Sequence, residues 1–279
     1  MVAIVPFRFA AGFAASFLTL AVATAASAQD ASAWVQDDHS AVRLLAGSRS
    51  GAVLLGGIAF RMQPGWKTYW RTPGDSGVPP HFDFSKSDNV EAVTVLWPAP
   101  QQFPDGAGGT SLGYKNQVVL PLRIVVKASD KPVTLRMALH YAVCDKLCIP
   151  VEAKTELPFI SVASTEDGAL AAALDTVPKP ANIGDPNPLT IRDVRRNGQS
   201  DVFVDVVAPD TQDVHLFVEG PTPDWALPTP KQIDSGSNSL KRFAFALDGL
   251  PPGARPEGAA LKLTLVGSNR AYEFNINLD

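Results

Sequence analysis

The chain has 279 residues and a formal net charge of −4 at pH 7, with 24 Lys or Arg against 28 Asp or Glu. The basic residues form no cluster, which argues against nucleic acid as a partner. A chain of this length is enough for one large or two modest domains, each with its own core.

The N-terminus has the pattern of a secretory signal peptide. Arg8 precedes an apolar run that ends near Val22, and the small residues Ala26-Ser27-Ala28 form an A-x-A cleavage site. The alternative is an uncleaved membrane anchor, but the run is short for a span and no basic flank follows it. We therefore predict an exported protein that begins near Gln29.

Apolar runs bounded by Gly, Pro, Asn and Asp follow almost to the C-terminus, for example "AVLLGGIAFRM", "QVVLPLRIVVK" and "TLRMALHYAV". Such runs, with turn signals at short intervals, are typical of antiparallel β-sandwiches. Hairpin turns are predicted at Asn197-Gly198 and at Gly267-Ser268-Asn269. The fold class is therefore predicted to be all-β.

A helix and a proline-rich segment divide this β structure. "STEDGALAAALDTV" predicts a helix with Ser164 or Thr165 as N-cap and with Glu166 and Asp167 in the first turn. "PKPANIGDPNP" predicts a linker without regular structure. The predicted division is a signal peptide at 1–28, a β-sandwich at 29–163, the helix and linker at 164–187, and a second, smaller β-sandwich at 188–279.

The chain contains two cysteines, Cys144 and Cys148, in "ALHYAVCDKLCIPVE". A disulfide that closes so small a ring stabilises by only about 2 kcal/mol, against about 4.7 for a 100-residue loop, so the spacing favours chemistry over a structural staple. In an extended chain their Cα atoms would be about 13 Å apart, whereas a disulfide needs roughly 4.4–6.8 Å. "CDKLC" must therefore turn, either as one helical turn or as a tight loop between two strands.

Two other uses of these cysteines stay open. His140, Cys144 and Cys148 form an H-x3-C-x3-C pattern that could bind zinc or Cu(I), although His140 and Cys144 would be about 13 Å apart on a regular strand. An inert bridge is the other alternative. Locally, Lys146 is offset by Asp145, so the sequence offers no strong stabilisation of a thiolate. This favours a pair that is attacked by a more reactive partner.

The stretch "MQPGWKTYWRTPGDSGVPPHFDF" concentrates aromatic residues before a loop rich in Pro and Gly. It predicts a core strand, an aromatic wall that shields a disulfide, or both. His39, His81 and His215 are isolated and are predicted to be ordinary surface or edge residues. No Ser/His/Asp order, phosphate loop or spaced pair of carboxylates supports a hydrolase or a kinase.

Three segments in this order, "PGWKTYWRTPGDSGVPP", "YKNQVVLPLRI" and "YAVCDKLCIPVE", resemble the periplasmic N-terminal domain of the thiol:disulfide interchange protein DsbD. The resemblance covers about residues 35–160 and is closer still to relatives in the copper-tolerance protein ScsB. It implies an immunoglobulin-like sandwich in which Cys144 and Cys148 shuttle between dithiol and disulfide without a cofactor. The residues implied to line this pair are Tyr69, Trp70, Phe103 and Tyr141.

The resemblance also implies partners. Electrons would come from a membrane-embedded thiol transporter and pass to disulfide isomerases or to thioredoxin-like proteins of cytochrome c biogenesis, which makes the chain a component of a protein-disulfide reductase. Cys148 would form the mixed disulfide. The alternative function is a periplasmic Cu(I)-binding module for copper tolerance. The second sandwich is expected to be a docking or spacing module.

The sequence departs from the family pattern in three respects. The better-known members have a longer spacing between their cysteines. They also carry adjacent aromatic residues where this chain has the glycine-rich "FPDGAGGTSLG", which predicts looser shielding. The sequence ends at Asp279 without the membrane and thioredoxin-like domains of the full-length proteins, so the membrane partner is expected to be a separate polypeptide.

Overall fold

The structure, a computed structural model, describes residues 1–2, 29–106, 108–198, 200–209, 213–235 and 239–279. Residues 3–28 of the predicted signal peptide lie outside the described residues, so the signal peptide stays a prediction. In the described parts of the chain, no helix has the length and apolar character needed to cross a membrane.

The first part of the chain forms a sandwich of two sheets, here called the first sandwich. Its strands are β1 (Val35–Gln36), β2 (Ser40–Ala46), β3 (Val53–Met62), β4 (Lys67–Gly74), β5 (His81–Asp83), β6 (Val90–Val95), β7 (Gln101–Pro104), β8 (Thr110–Lys115), β9 (Gln117–Val126), β10 (Val133–Cys144) and β11 (Cys148–Phe159). One sheet has the order β1-β2-β3-β9-β6 and the other β11-β10-β4-β8-β7, with β5 paired to β10.

The alternation of apolar residues explains why these strands pack as two layers. Along β10, Leu135, Met137 and Leu139 are buried, whereas His140 is exposed, because successive side chains of a strand point to opposite faces of the sheet. The buried residues of both sheets meet in one core around Trp70. The predicted all-β, immunoglobulin-like architecture is thereby confirmed.

The second part of the chain forms another pair of sheets, here called the second sandwich. Its strands are β12 (Lys179–Ala181), β13 (Thr190–Asn197), β14 (Asp201–Val207), β15 (His215–Glu219), β16 (Lys231–Ser235), β17 (Leu240–Ala246), β18 (Ala260–Val266) and β19 (Ala271–Asn277). The sheet orders are β12-β19-β18-β15 and β13-β14-β17-β16. Both predicted hairpin turns are confirmed, because β13 pairs with β14 and β18 with β19 across them.

The connection between the sandwiches corrects two predictions. Helix α1 spans Asp167–Leu174 and its N-cap residue is Glu166. The predicted N-cap was wrong. The Ser164 hydroxyl accepts from the Glu166 amide at 3.0 Å, ahead of the helix, and the Thr165 hydroxyl donates to Asp30 at 3.1 Å instead of capping the helix.

The proline-rich segment is not without regular structure, since β12 pairs in parallel with β19 and adds an edge strand to the second sandwich. Proline is tolerated there because an edge strand has one side that makes no ladder hydrogen bonds. The predicted domain boundaries themselves stay a prediction.

Candidate functional site

The two cysteines are joined at the tip of a long hairpin. β10 and β11 pair antiparallel along their whole length, and the last pair of the ladder is Cys144 opposite Cys148. Their sulfurs form a disulfide and their Cα atoms are 4.2 Å apart. Of the two turns that the sequence left open, the tight loop is the one that forms, with the Asp145 amide donating to the Leu147 carbonyl at 3.2 Å.

The two sulfurs differ in their access to solvent. Cys144 belongs to a strand flanked by β11 and β4, and it is 2% exposed. Cys148 begins the edge strand β11 and is exposed, and its neighbour Leu147 is 76% exposed. A macromolecular partner can therefore reach Cys148 directly, whereas Cys144 lies beneath the surface.

Tyr69 bonds both sulfurs. Its hydroxyl donates to Cys144 Sγ at 2.9 Å and lies 3.2 Å from Cys148 Sγ, and its side chain is buried in a small cluster with Ala142 and Cys144. Burial raises the pKa of Tyr69 above its ordinary value of 10.0. The hydroxyl therefore keeps its proton at neutral pH and remains a hydrogen-bond donor to sulfur.

A glycine of the loop after β4 packs on the ring of Tyr69. A Cβ atom added at Gly77 would lie 2.3 Å from Tyr69 Cε1, and the φ angle of Gly77 is +132°, in a region of conformational space that favours glycine. The loop rich in Pro and Gly therefore covers the tyrosine, and this contact could not be read from the sequence.

Two lysines lie on the same face of the sheet as Cys144. Lys67 is the β4 partner of Cys144 and also the partner of Lys115 on β8, and residues paired across a ladder share a face. Burial, and next the charge of Lys115, lower the pKa of Lys67. The local sequence around the cysteines had offered no strong stabilisation of a thiolate. Lys67 could have been found from strand periodicity, since it precedes Tyr69 by two positions.

Phe103 lies on this face but is separated from β10 by two strands. The sheet order is β10-β4-β8-β7, and Phe103 belongs to β7. Its ring centroid is 5.5 Å from Lys67 Nζ and 4.6 Å from Lys115 Nζ. Phe103 therefore packs against the two lysines and not directly against the disulfide.

Two other residues that the resemblance assigned to the site point the opposite way, into the core. Trp70 is fully buried, and Tyr141 is 3% exposed, with its hydroxyl 2.7 Å from Ser40 Oγ. Because Trp70 follows Tyr69 directly in a strand, their side chains lie on opposite faces. The structure therefore brings Tyr69, but not Trp70 or Tyr141, to the disulfide face.

The alternative metal set is not brought together. His140 is exposed and its Nδ1 lies 3.3 Å from Glu152 Oε1 on β11. Cys144 lies four residues further along the same regular strand, about 13 Å away at the usual rise. Within the described ranges, no group of three or more His, Cys, Asp or Glu side chains could hold a metal ion.

Residues 36–160 match the family described as "Thiol:disulfide interchange protein DsbD, N-terminal". The resemblance predicted from three segments of the sequence is thereby confirmed. This DsbD-like segment contains Tyr69, Lys67 and both cysteines. None of the curated protein sequences matches the chain.

One solved structure extends the likeness of fold to both sandwiches. The crystal structure of the N-terminal periplasmic domain of ScsB from Proteus mirabilis matches with a TM-score of 0.70 and 22% sequence identity, over 89% of this chain and 98% of that chain. The yeast GGA1 GAE domain matches 45% of this chain and 97% of its own, with a TM-score of 0.26 and 14% identity.

Proposed function

We propose that the first sandwich is a periplasmic thiol–disulfide exchange domain and that Cys144 and Cys148 are its redox pair. The observation that carries this proposal is the asymmetric disulfide, with Cys148 exposed on an edge strand and Cys144 buried against the Tyr69 hydroxyl. The match to the DsbD N-terminal family supports it.

Reduction of the pair proceeds in two exchange steps. A partner thiolate attacks Cys148 Sγ, a new sulfur–sulfur bond forms, and the electron pair of the broken bond goes to Cys144, which leaves as a thiolate. The partner's second thiolate then attacks its own sulfur in the mixed disulfide and releases Cys148. The partner is oxidised to a disulfide, two electrons stay on this chain, and the two thiolates take up protons from water.

The surroundings of Cys144 suit its role as the leaving group. The Tyr69 hydroxyl donates a hydrogen bond to it, and the Lys67 side chain lies at the paired position on the same face. A hydrogen bond and a nearby cation both favour a thiolate over a thiol. In the reverse reaction Cys148 attacks a downstream disulfide, and the Cys144 thiolate then attacks Cys148 Sγ in the mixed disulfide, which re-forms the bridge and releases the reduced partner.

The partners that this proposal assigns are a membrane-embedded thiol transporter as donor and periplasmic thioredoxin-like proteins or disulfide isomerases as acceptors. Leu147 and Val78, which are 76% and 56% exposed, offer apolar contact beside Cys148 and beside the loop that covers Tyr69. Contiguous apolar surface marks sites of interaction with other proteins, and the proposal places these two side chains in such a site.

The reduction potential of the pair tests the proposal. Residues 29–279 are equilibrated in glutathione or dithiothreitol buffers, and the fraction of dithiol is measured by thiol alkylation. A potential between about −180 and −270 mV, where exchange proteins lie, is expected. A potential well below about −300 mV would identify a structural bridge and overturn the proposal.

A trapping experiment tests the assignment of the two sulfurs. Cys144→Ser leaves the exposed Cys148 and is expected to accumulate mixed disulfides with a thioredoxin-like protein. Cys148→Ser leaves the buried Cys144 and is expected to accumulate far less. Equal trapping by the two variants would contradict the assignment of Cys148 as the attacked sulfur.

A further inference from the structure

We propose that the second sandwich positions the exchange site through one face of β15, and that it is more than a spacer. The contact residues, His215, Phe217 and Glu219, are here called the β15 strip. The inference rests on the proposed function of Cys144 and Cys148, and it assigns a role to residues that have no chemistry of their own in the exchange.

The strip follows from the alternation of β15. Leu216 and Val218 are buried in the core of the second sandwich, whereas Phe217 is buried in the core of the first. Because successive side chains of a strand point to opposite faces, His215 and Glu219 share the face of Phe217. One strand therefore contributes to both cores, and its outer face is directed at the first sandwich.

Glu219 binds β4 through an ion pair with good geometry. Its carboxylate accepts hydrogen bonds from Arg71 Nε at 2.9 Å and 3.2 Å and from Arg71 Nη2 at 2.7 Å. It accepts another from the Thr72 hydroxyl at 2.8 Å. Glu273 accepts another from Arg71 at 2.6 Å. The side chains of Arg71 and Glu219 are 20% and 15% exposed. Such a bidentate, largely desolvated pair fixes geometry as well as charge.

Phe217 packs against Trp70, the residue that precedes Arg71. The ring centroids of Phe217 and Trp70 are 6.0 Å apart, and both side chains are almost fully buried. Trp70 in turn follows Tyr69, the residue whose hydroxyl bonds the sulfurs. Two consecutive residues of β4 are thus fixed by the second sandwich, and the residue before them touches the disulfide.

A second strand repeats this arrangement. His215 Nδ1 lies 3.0 Å from Gln102 Oε1 on β7, and the next residue, Phe103, packs against the lysines of the disulfide face. On both β4 and β7, the residue that contacts the β15 strip is next to an aromatic residue on the disulfide face of the sheet. The strip therefore limits the movement of the strands that carry Tyr69 and Phe103.

The test compares the equilibrium between dithiothreitol and the Cys144–Cys148 pair in the parent chain and in two variants. Glu219→Gln removes the charge that pairs with Arg71, and Phe217→Leu loosens the packing on Trp70 without changing charge. In both, the equilibrium constant for reduction is expected to fall about threefold or more, in the range seen for residues along a coupled network. The cause would be a weaker bond from Tyr69 to the Cys144 thiolate.

Asp205→Asn is the matched control. Asp205 lies in the other sheet of the second sandwich and accepts hydrogen bonds from Arg242 at 2.6 Å and 3.0 Å, so this variant also removes a carboxylate paired with arginine. It is expected to leave the equilibrium unchanged. If Glu219→Gln and Phe217→Leu give the same equilibrium constant as Asp205→Asn, the inference is overturned.

A double-mutant cycle shows whether the effect passes through Tyr69. In the Tyr69→Phe background, Glu219→Gln is expected to have no further effect on the equilibrium, and an undiminished effect would contradict the inference. The proposed function can fail separately. A parent potential below about −300 mV would remove the exchange function, while the ratio of variant to parent would still report the coupling.

Discussion

At the scale of single residues, the site depends on the environments that the fold gives to two chemically identical sulfurs. Cys144 is buried and Cys148 is exposed, although only three residues separate them. One hydroxyl, from Tyr69, reaches both sulfurs. The chemistry of the pair is therefore set by the strands beside it.

Tyr69→Phe removes this hydroxyl and retains the ring. A hydrogen bond to a charged group contributes about 1.5–3 kcal/mol, so we expect the rate of reduction by dithiothreitol to fall about tenfold or more. Rapid-quench alkylation measures this rate. Tyr141→Phe is the matched control, because its hydroxyl bonds Ser40 in the core; it is expected to lower stability and leave the rate unchanged. Equal rates for the parent and Tyr69→Phe would show that the hydroxyl does not stabilise the leaving thiolate.

Lys67→Met tests the cation beside Cys144. Loss of a nearby positive charge destabilises a thiolate, so we expect the pKa of the Cys144 thiol in the reduced chain to rise, and its alkylation at neutral pH to slow. The pH dependence of the ultraviolet absorbance of the thiolate measures the pKa. Lys154→Met, on the exposed surface of β11, is the control. A pKa that is the same in both variants would remove Lys67 from the mechanism.

At the scale of elements, helix α1 is attached to the first sandwich by two carboxylates. Asp30 accepts hydrogen bonds from the Ser161 hydroxyl and the Thr165 amide, and Asp167 accepts from the hydroxyl and amide of Ser48. These hydrogen bonds, chiefly those from the Ser161 and Ser48 hydroxyls, hold both pKa values below the ordinary 3.8. The N-terminal segment, a loop and the helix are thus joined by groups that titrate in acid.

The sign of the pH effect follows from these lowered pKa values. A carboxyl whose folded pKa lies below its unfolded pKa contributes stability that is complete above the unfolded value and is lost as the pH falls towards the folded value. We expect the melting temperature to decrease as the pH falls below 3.8, the ordinary value. In the double variant Asp30→Asn, Asp167→Asn, the melting temperature is expected to decrease less over this pH range. Thermal melts between about pH 2 and pH 5 measure the difference.

The remaining acid dependence has another source, because hydrogen bonds from Arg242 also lower the pKa of Asp205. Asp130→Asn, which changes an exposed carboxylate, is the control for the double variant. If the double variant shows the full dependence of the parent on pH, the two carboxylates do not anchor the helix through their charged forms.

Sequence periodicity predicted much of the secondary structure, but not the contacts between segments that are distant in sequence. The alternation in β10 puts Leu135, Met137 and Leu139 on one face, and the structure buries that face. The N-cap of α1 could not be predicted, because the hydroxyls of Ser164 and Thr165 donate to Ala46 and Asp30, which are distant in sequence and fix the chain ahead of the helix. Likewise β12 forms only because β19 lies beside it. Local patterns carry no information about such partners.

At the scale of the whole molecule, the two sandwiches share buried structure. Phe217 belongs to the core of the first sandwich although its strand belongs to the second, and Arg71 bonds Glu219 and Glu273 across the same boundary. His215 is exposed on the edge strand β15, as the sequence predicted, and it also lies 3.0 Å from Gln102 of the first sandwich. A contact between two parts of a chain leaves no periodic signal in either.

This shared structure predicts cooperative unfolding. We expect residues 29–279 to unfold in one transition, with equal calorimetric and van't Hoff enthalpies. Phe217→Ala, which leaves a cavity at the boundary, is expected to cost about 3–5 kcal/mol and to separate the transition into two. Differential scanning calorimetry measures both. Two transitions in the parent chain would show that the sandwiches are energetically independent.

The pairing of Cys144 with Cys148 across the last rung of the hairpin has a consequence for the reduced state. The backbone ladder of β10 and β11, and not the disulfide, sets the distance between the two Cα atoms. After reduction the thiols therefore remain neighbours at a high effective molarity, since the entropy of bringing them together has already been lost in folding. We therefore expect reduction and oxidation of the pair to require no rearrangement of the backbone, so that in the proposed exchange a partner would meet the same surface in both states.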